Sequence, residues 1–164
     1  MARIFLITLL SSITISVSAQ EDMMKVFNHL LNKTWKVEGS WGGAMEFKQE
    51  VTFTAALEGN LVIAETKGFV DEKQTQWGHR NHGIRRYDAQ EEKIKFFEYD
   101  VFGGLTQGEI QLNGKNLLYV YEYGGQMICD KWEFVNENEY KYIVGSFKDG
   151  QIDQVLMEAK AVAK

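Results

Sequence analysis

The feature that most constrains this chain is a regular series of short turn signals that runs from Thr34 towards the end of the sequence. Nine such segments, rich in glycine, asparagine and aspartate, separate ten runs of β-branched and aromatic residues. The Asn-Gly and Asp-Gly pairs among them indicate hairpins, because both central residues of a type I′ turn need positive φ. The turn segments are residues 40–43, 58–60, 71–73, 88–91, 102–104, 113–114, 124–125, 136–138 and 149–150.

Connections this short predict antiparallel pairing between sequence neighbours and leave no room for crossover helices. The 164 residues include no proline, so every strand residue has a backbone N–H that can donate a hydrogen bond to a neighbouring strand. A ten-stranded meander would keep two long unpaired edges unless it closed on itself. The sequence therefore predicts an all-β fold, an up-and-down antiparallel barrel of about ten strands. A short amphipathic helix over residues 21–31 is expected to cover one mouth of this barrel.

The first nineteen residues have the layout of a secretory signal peptide. Arg3 supplies a basic start, residues 4–17 are mostly apolar, and Val17-Ser18-Ala19 precedes the expected cleavage site before Gln20. The apolar run is too short and too rich in serine for a membrane span. We therefore expect residues 1–19 to be removed. Residues 20–164 are expected to form a single domain that is exported, periplasmic or extracellular, and soluble after cleavage.

Charge and cysteine content narrow the classes of partner. The formal net charge of −5 argues against nucleic acid or an anionic membrane as the main partner. The single cysteine, Cys129, rules out an intramolecular disulfide and a two-cysteine zinc site. We expect it to be a small buried hydrophobic residue, with a reactive thiol as the alternative.

Alternation with a period of two predicts which side chains face the interior. Phe47, Val51 and Phe53 share one face of the second run, and Tyr119 and Tyr121 share one face of the seventh. In the eighth run Asp130 alternates with apolar residues and would need a partner inside the barrel, either Arg85 or a tyrosine hydroxyl.

The run over residues 76–87 leaves two interpretations open. In one, the inner face is formed by Trp77, His79, Asn81, Arg85 and Tyr87, and Arg85 meets a carboxylate or another anionic group of a ligand. In the other, the arginines belong to a solvated outer face, where Glu65 or Glu98 pairs with them. His79 and His82 are three residues apart, so strict alternation points them to opposite faces and they are not expected to share a metal.

Two segments carry a family resemblance. Residues 30–39, LLNKTWKVEG, resemble the start of calycin barrels, the superfamily of lipocalins and fatty-acid-binding proteins, in which a tryptophan such as Trp35 plugs one barrel end. Residues 82–88, HGIRRYD, are similar to the central hairpin of exported bacterial lipocalin-like domains. The haem-binding nitrobindin-like barrels carry glycines where this chain has Lys33 and Val37, so the resemblance does not extend to haem.

Together these observations predict an exported protein that binds a small apolar or amphipathic molecule inside the barrel, with no metal and no cofactor. No serine lies in a nucleophile elbow, and no carboxylate pair stands out as acid and base, so no catalytic residue is assigned. The alternatives are an interaction module with a filled barrel, and an enzyme acting on a hydrophobic substrate in the cavity. The expected ligand-binding residues are Phe47, Phe53, Trp77, His79, Arg85, Phe97, Tyr99, Tyr119, Tyr121, Asp130 and Trp132.

Overall fold

A computed structural model describes residues 23–71 and 73–164 as a closed antiparallel barrel. The strands are β1 (Thr34–Trp41), β2 (Met45–Ala56), β3 (Leu61–Phe69), β4 (Trp77–Asp88), β5 (Lys93–Asp100), β6 (Leu105–Asn113), β7 (Asn116–Tyr123), β8 (Gln126–Asn136), β9 (Glu139–Lys148) and β10 (Gln151–Ala163). Each strand pairs with its sequence neighbours, and β1 pairs with β10. The predicted fold class is confirmed, and the barrel fits a calycin-like architecture. The signal peptide expected over residues 1–19 lies outside the described residues.

The seam between β1 and β10 closes the barrel and depends on a glycine. Gly39 of β1 lies opposite Ala159 of β10. A Cβ atom at Gly39 would overlap the backbone of Glu158 and Ala159. Only glycine therefore allows the two strands to approach this closely and still keep their ladder of hydrogen bonds.

The N-terminal helix is present and ends earlier than predicted. Met23 and Met24 are α-helical and Lys25–His29 form a 3₁₀ helix, so the described part of the helix stops two residues before the expected end at residue 31. Residues 21 and 22 lie outside the described residues. Contacts with β1 and β2 end this helix. The carbonyl of Leu30 accepts the indole N–H of Trp35 at 3.1 Å, and Leu31 already forms a bridge to β2. A second 3₁₀ turn, Leu57–Gly59, connects β2 and β3.

The apolar core fills the end of the barrel next to this helix, which we call the closed end. Trp35 is fully buried there, with ring centroids 5.2 Å from Tyr140 and 6.2 Å from Trp132. The helix and the residue that follows it contribute three buried side chains to the same core, Met24, Phe27 and Leu30. It therefore covers one barrel end, as predicted. The opposite end, where the β1–β2, β3–β4 and β5–β6 turns lie, is called the open end below.

A β-bulge interrupts β4 near the open end. Thr66 of β3 pairs with Asn81, but the next residue, Lys67, pairs with His79, so that Arg80 is an extra residue in β4. A bulge of this kind turns two successive side chains to the same face and reverses the alternation beyond it. Residues of β4 on either side of Arg80 therefore follow opposite alternation patterns.

Candidate ligand-binding cavity

An internal cavity of about 170 Å³ lies between the closed end and the open end. Its apolar walls are Val51, Phe53, Phe96 and Trp132. Its polar walls are Gln49, Thr66, Asn81, Arg85, Glu98, Thr106, Tyr119, Tyr121, Asp130 and Tyr142. The interior is thus more polar than the sequence predicted, since only Arg85 and Asp130 were expected to be charged groups inside an apolar pocket.

Arg85 lies inside the barrel and is only 4% exposed. Its Nη2 pairs with Glu98 Oε1, and its Nε donates to the Tyr119 hydroxyl at 3.4 Å. The guanidinium also lies 5.2 Å from the Tyr119 ring centroid and 5.8 Å from that of Phe53. Burial disfavours the charged form, but Tyr119 and Glu98 more than compensate and raise the pKa of Arg85 above its ordinary value.

A glycine makes room for this buried ion pair. Gly83 precedes Arg85 by two residues on the same face of β4 and lies opposite Glu98 on β5. A Cβ atom at Gly83 would overlap both the guanidinium and the carboxylate. The second oxygen of Glu98 accepts from Asn81 Nδ2 at 3.3 Å. Both carboxylate oxygens are therefore engaged by side chains of β4.

Asp130 of β8 is the second carboxylate that lines the cavity, and it is partly buried. It accepts hydrogen bonds from the Tyr121 hydroxyl at 2.9 Å and from the Tyr142 hydroxyl at 2.7 Å. Burial raises the pKa of Asp130 to about 6, although the two tyrosine hydrogen bonds oppose this shift. The predicted need for an interior partner is met by tyrosine hydroxyls, whereas Arg85 pairs with Glu98 instead.

A larger hollow of about 310 Å³ lies at the open end, and Gln49 lines both it and the cavity. We call this hollow the mouth. Its apolar side chains are Trp41, Met45, Phe47, Phe69 and Phe102. The bulged Arg80 also lines it, with its guanidinium 5.3 Å from the Phe102 ring centroid and a hydrogen bond to the Phe69 carbonyl. The mouth's other lining side chains are polar or charged, namely Glu46, Lys48, Asp71 and Gln74. Aromatic and charged groups therefore share the mouth, and Gln49 separates it from the polar cavity.

Six of the predicted site residues meet at the cavity, and one lies at the mouth. The six are Phe53, Arg85, Tyr119, Tyr121, Asp130 and Trp132. Phe47 lines the mouth, where its ring centroid is 6.2 Å from that of Trp41. Their expected inward orientation is correct, because six of them lie on strands with regular alternation at these positions and Arg85 follows the bulge of β4.

The inward orientation expected for Trp77 and His79 is wrong. Trp77 is 46% exposed and packs edge-on against Phe69, while His79 is exposed opposite Lys67. The bulge at Arg80 is the reason, since it reverses the face of every residue of β4 that precedes it. His79 and His82 are therefore on the same outer face rather than on opposite faces. His82 pairs there with Glu65 at 2.5 Å.

The inward orientation expected for Phe97 and Tyr99 is also wrong. In β5 the buried residues are Ile94 and Phe96, and Phe96 lies directly opposite Arg85. Directly opposed residues of an antiparallel pair share a face, so Phe97 and Tyr99 point outward. Tyr99 is 50% exposed.

Sequence reasoning missed several side chains that build the cavity. Glu98 was considered only as an outer partner, although its place two residues after Phe96 puts it on the inner face. The other wall residues outside the predicted ligand-binding set are Gln49, Thr66, Asn81, Phe96, Thr106 and Tyr142. Alternation places Gln49 with Phe53 and Asn81 with Arg85 on inner faces, whereas the polar side chains of Thr66 and Thr106 ordinarily indicate the solvent face.

Cys129 is fully buried on the outer side of the sheet, where Phe147 and Ile152 pack over it. Burial raises the pKa of its thiol to about 12. A thiol held in its neutral form is a poor nucleophile. The expected role as a small buried hydrophobic residue is confirmed.

Among residues 23–71 and 73–164, no three histidine, cysteine, aspartate or glutamate side chains are grouped as a metal site would require. The same residues form no helix with the length and apolarity that crossing a membrane demands. In comparisons with known proteins, neither a family model nor a curated protein matches this chain.

Proposed function

We propose that this chain is an exported calycin-like binding protein that holds a small amphipathic molecule, with the polar end of the ligand in the cavity and its apolar part in the mouth. The observation that carries this proposal is the arrangement of the two spaces. A polar cavity of about 170 Å³ lies beside a mouth of about 310 Å³ that holds four aromatic side chains, and Gln49 borders both. Polar groups in a ligand pocket orient the ligand, and this cavity is unusually rich in them, so the apolar part of the ligand is assigned to the aromatic side chains of the mouth.

The polarity of the cavity favours an amphipathic ligand over an entirely apolar one. An apolar group placed against Arg85, Glu98 and Asp130 would displace water from these groups and offer no hydrogen bond in return. The cavity alone is also smaller than the roughly 300–1,000 Å³ of ordinary ligand pockets. A polar head group fits this volume, and the rest of the molecule then extends towards Trp41 and Phe47.

An interaction module with a filled barrel is the weaker alternative, because the interior holds a cavity lined by charged groups.

Export rests on the sequence of residues 1–19 alone. The intact mass of soluble protein from a secreting host tests it, and a mature chain that begins at Gln20 is expected. Soluble material that retains residues 1–19 would contradict export.

The binding proposal is tested by native mass spectrometry of gently purified protein, with a search for co-purified small molecules. Thr106→Trp places an indole in the cavity, whereas Gln107→Trp places the same side chain on the outer face of the same strand. Wild type and Gln107→Trp should carry the same bound mass, and Thr106→Trp should lose it. Equal occupancy of both variants, or no bound mass on any of them, would count against an interior site.

Asp130 supports a second candidate function. A partly buried carboxylate with a pKa of about 6 suits proton transfer near neutral pH, as in an enzyme that acts on the bound molecule. Asp130→Asn keeps the shape of the side chain but removes the ionisable group. If the protein is an enzyme, wild type should convert the co-purified molecule on incubation and Asp130→Asn should bind it unchanged. If both proteins leave the molecule unchanged, the enzyme alternative is rejected.

A further inference from the structure

Within the described part of the chain, two buried side-chain polar atoms have no hydrogen-bond partner, and both belong to the cavity. They are Arg85 Nη1, a donor, and Asn81 Oδ1, an acceptor. The other end of each side chain is bound to Glu98: Arg85 Nη2 pairs with one carboxylate oxygen, and Asn81 Nδ2 donates to the other. The free donor and the free acceptor therefore flank the same carboxylate.

The orientation of the Asn81 amide follows from its partner. An ionised carboxylate only accepts hydrogen bonds, so the NH₂ group of Asn81 must face Glu98 and its carbonyl oxygen must be the free atom. Buried donors and acceptors in folded proteins almost always have partners. Both atoms are enclosed in this structure, although their side chains line the cavity, so a ligand that pairs with them must turn the two side chains slightly towards it. A ligand with a complementary acceptor and donor would satisfy both atoms.

The charges around the cavity disfavour an anionic head group, and the unpaired donor of Arg85 disfavours a cationic one. Glu98 already neutralises Arg85, and Asp130 adds a second carboxylate, so the site has no excess positive charge to hold an anion. A cationic head group could donate to Asn81, but it would leave Arg85 Nη1 unpaired and place a second positive charge beside it. The fatty-acid carboxylate first expected at Arg85 is therefore a poor match.

We propose that the polar end of the ligand is an uncharged group with an acceptor and a donor side by side, of which the primary carboxamide is the simplest. Its carbonyl oxygen accepts from Arg85 Nη1, and its amino group donates to Asn81 Oδ1. This inference rests on the proposed function, because it requires that the barrel bind a small molecule at all.

Three compounds that share an eight-carbon chain test the inference: octanamide, octanoate and octylamine. Titration calorimetry at pH 7.5 should show octanamide binding to the wild-type protein at least about tenfold more tightly than either charged compound, which is the effect of one good hydrogen bond that would otherwise be left unmade. Asn81→Leu should weaken octanamide by about tenfold and have little effect on octanoate. Gln107→Leu replaces a polar side chain on the outer face of β6 and should change octanamide affinity by less than about twofold.

The outcomes separate the inference from the proposed function. If octanoate or octylamine binds as tightly as octanamide, the head-group assignment is overturned and interior binding stands. If none of the three compounds binds to wild type, the proposed function itself is contradicted. Circular dichroism establishes whether Asn81→Leu is folded, and if it is not, the comparison of the three compounds on wild type decides the question alone.

Discussion

The two ends of the barrel are built from the same strands but differ in chemistry. At the closed end β2 contributes Phe53 and β8 contributes Trp132, whose ring centroids are 5.6 Å apart in a continuous aromatic core. Two or four residues further towards the open end, the same strands place Asp130 and Gln49 in the cavity. The comparison shows that one set of strands forms both the stabilising aromatic core and the polar cavity. Apolar packing that stabilises the fold is concentrated at one end, and polar groups suited to a ligand lie towards the other.

The largest expected effect comes from removing an aromatic ring at the closed end. Trp35→Ala should lower the free energy of unfolding by about 3–5 kcal/mol, because Trp35 is fully buried among other rings. Trp77→Ala, the matched change on the exposed outer face near the open end, should cost less than about 1 kcal/mol. Urea denaturation measures both. Similar losses in the two variants would contradict the division of the barrel into a stabilising end and an open end.

The next effect concerns the buried ion pair. Arg85→Met should destabilise the protein by about 3 kcal/mol, because it leaves Glu98 buried near Asp130 without its positive partner. The double variant Arg85→Met/Glu98→Leu should recover most of this loss, since two apolar side chains then replace the pair. Urea denaturation of the single and double variants tests this. If the double variant is no more stable than the single one, the loss comes from packing rather than from an unpaired charge.

A smaller effect is expected from pH, through Asp130. The pKa of Asp130 is about 6 in the folded protein against an ordinary value of 3.8, so the folded state holds this proton more tightly. Its contribution to stability is therefore fully present below about pH 4 and is lost as the pH rises through 6, by about 2–3 kcal/mol. The asparagine of Asp130→Asn does not titrate. The free energy of unfolding of wild type relative to that of Asp130→Asn should therefore fall between pH 4 and pH 7.

The quantity to measure is the difference in free energy of unfolding between wild type and Asp130→Asn. Carboxylates with lowered pKa values make both proteins more stable as the pH rises, and the difference cancels their effect. Glu50, Asp71, Asp88, Glu109 and Glu137 belong to this group. Denaturation series at several pH values give the difference directly. A difference that is constant with pH would show that Asp130 titrates as an ordinary exposed carboxylate.

The open end was also the part least accessible to sequence reasoning. The turn signals predicted ten strands and their pairing, and the regular alternation of β2 and β8 correctly placed Phe53 and Asp130 inside. The alternation in β4 was misleading beyond Arg80, because a bulge depends on the pairing of two strands and leaves no mark in either sequence. In β5 the adjacent aromatic residues Phe96 and Phe97 fit either face, and only the register with β4 decides between them.

The most direct test of an open, ligand-accessible cavity uses the indole N–H resonances of the four tryptophans. Trp132 lines the cavity, Trp41 lines the mouth, Trp35 lies in the closed end with its N–H bound to Leu30, and Trp77 lies on the outer face. Titration of ¹⁵N-labelled protein with octanamide should shift Trp132 and Trp41 in a saturable way, with a smaller change at Trp35 and almost none at Trp77. Saturable shifts confined to Trp77, or an unchanged Trp132 resonance at saturation, would contradict the account.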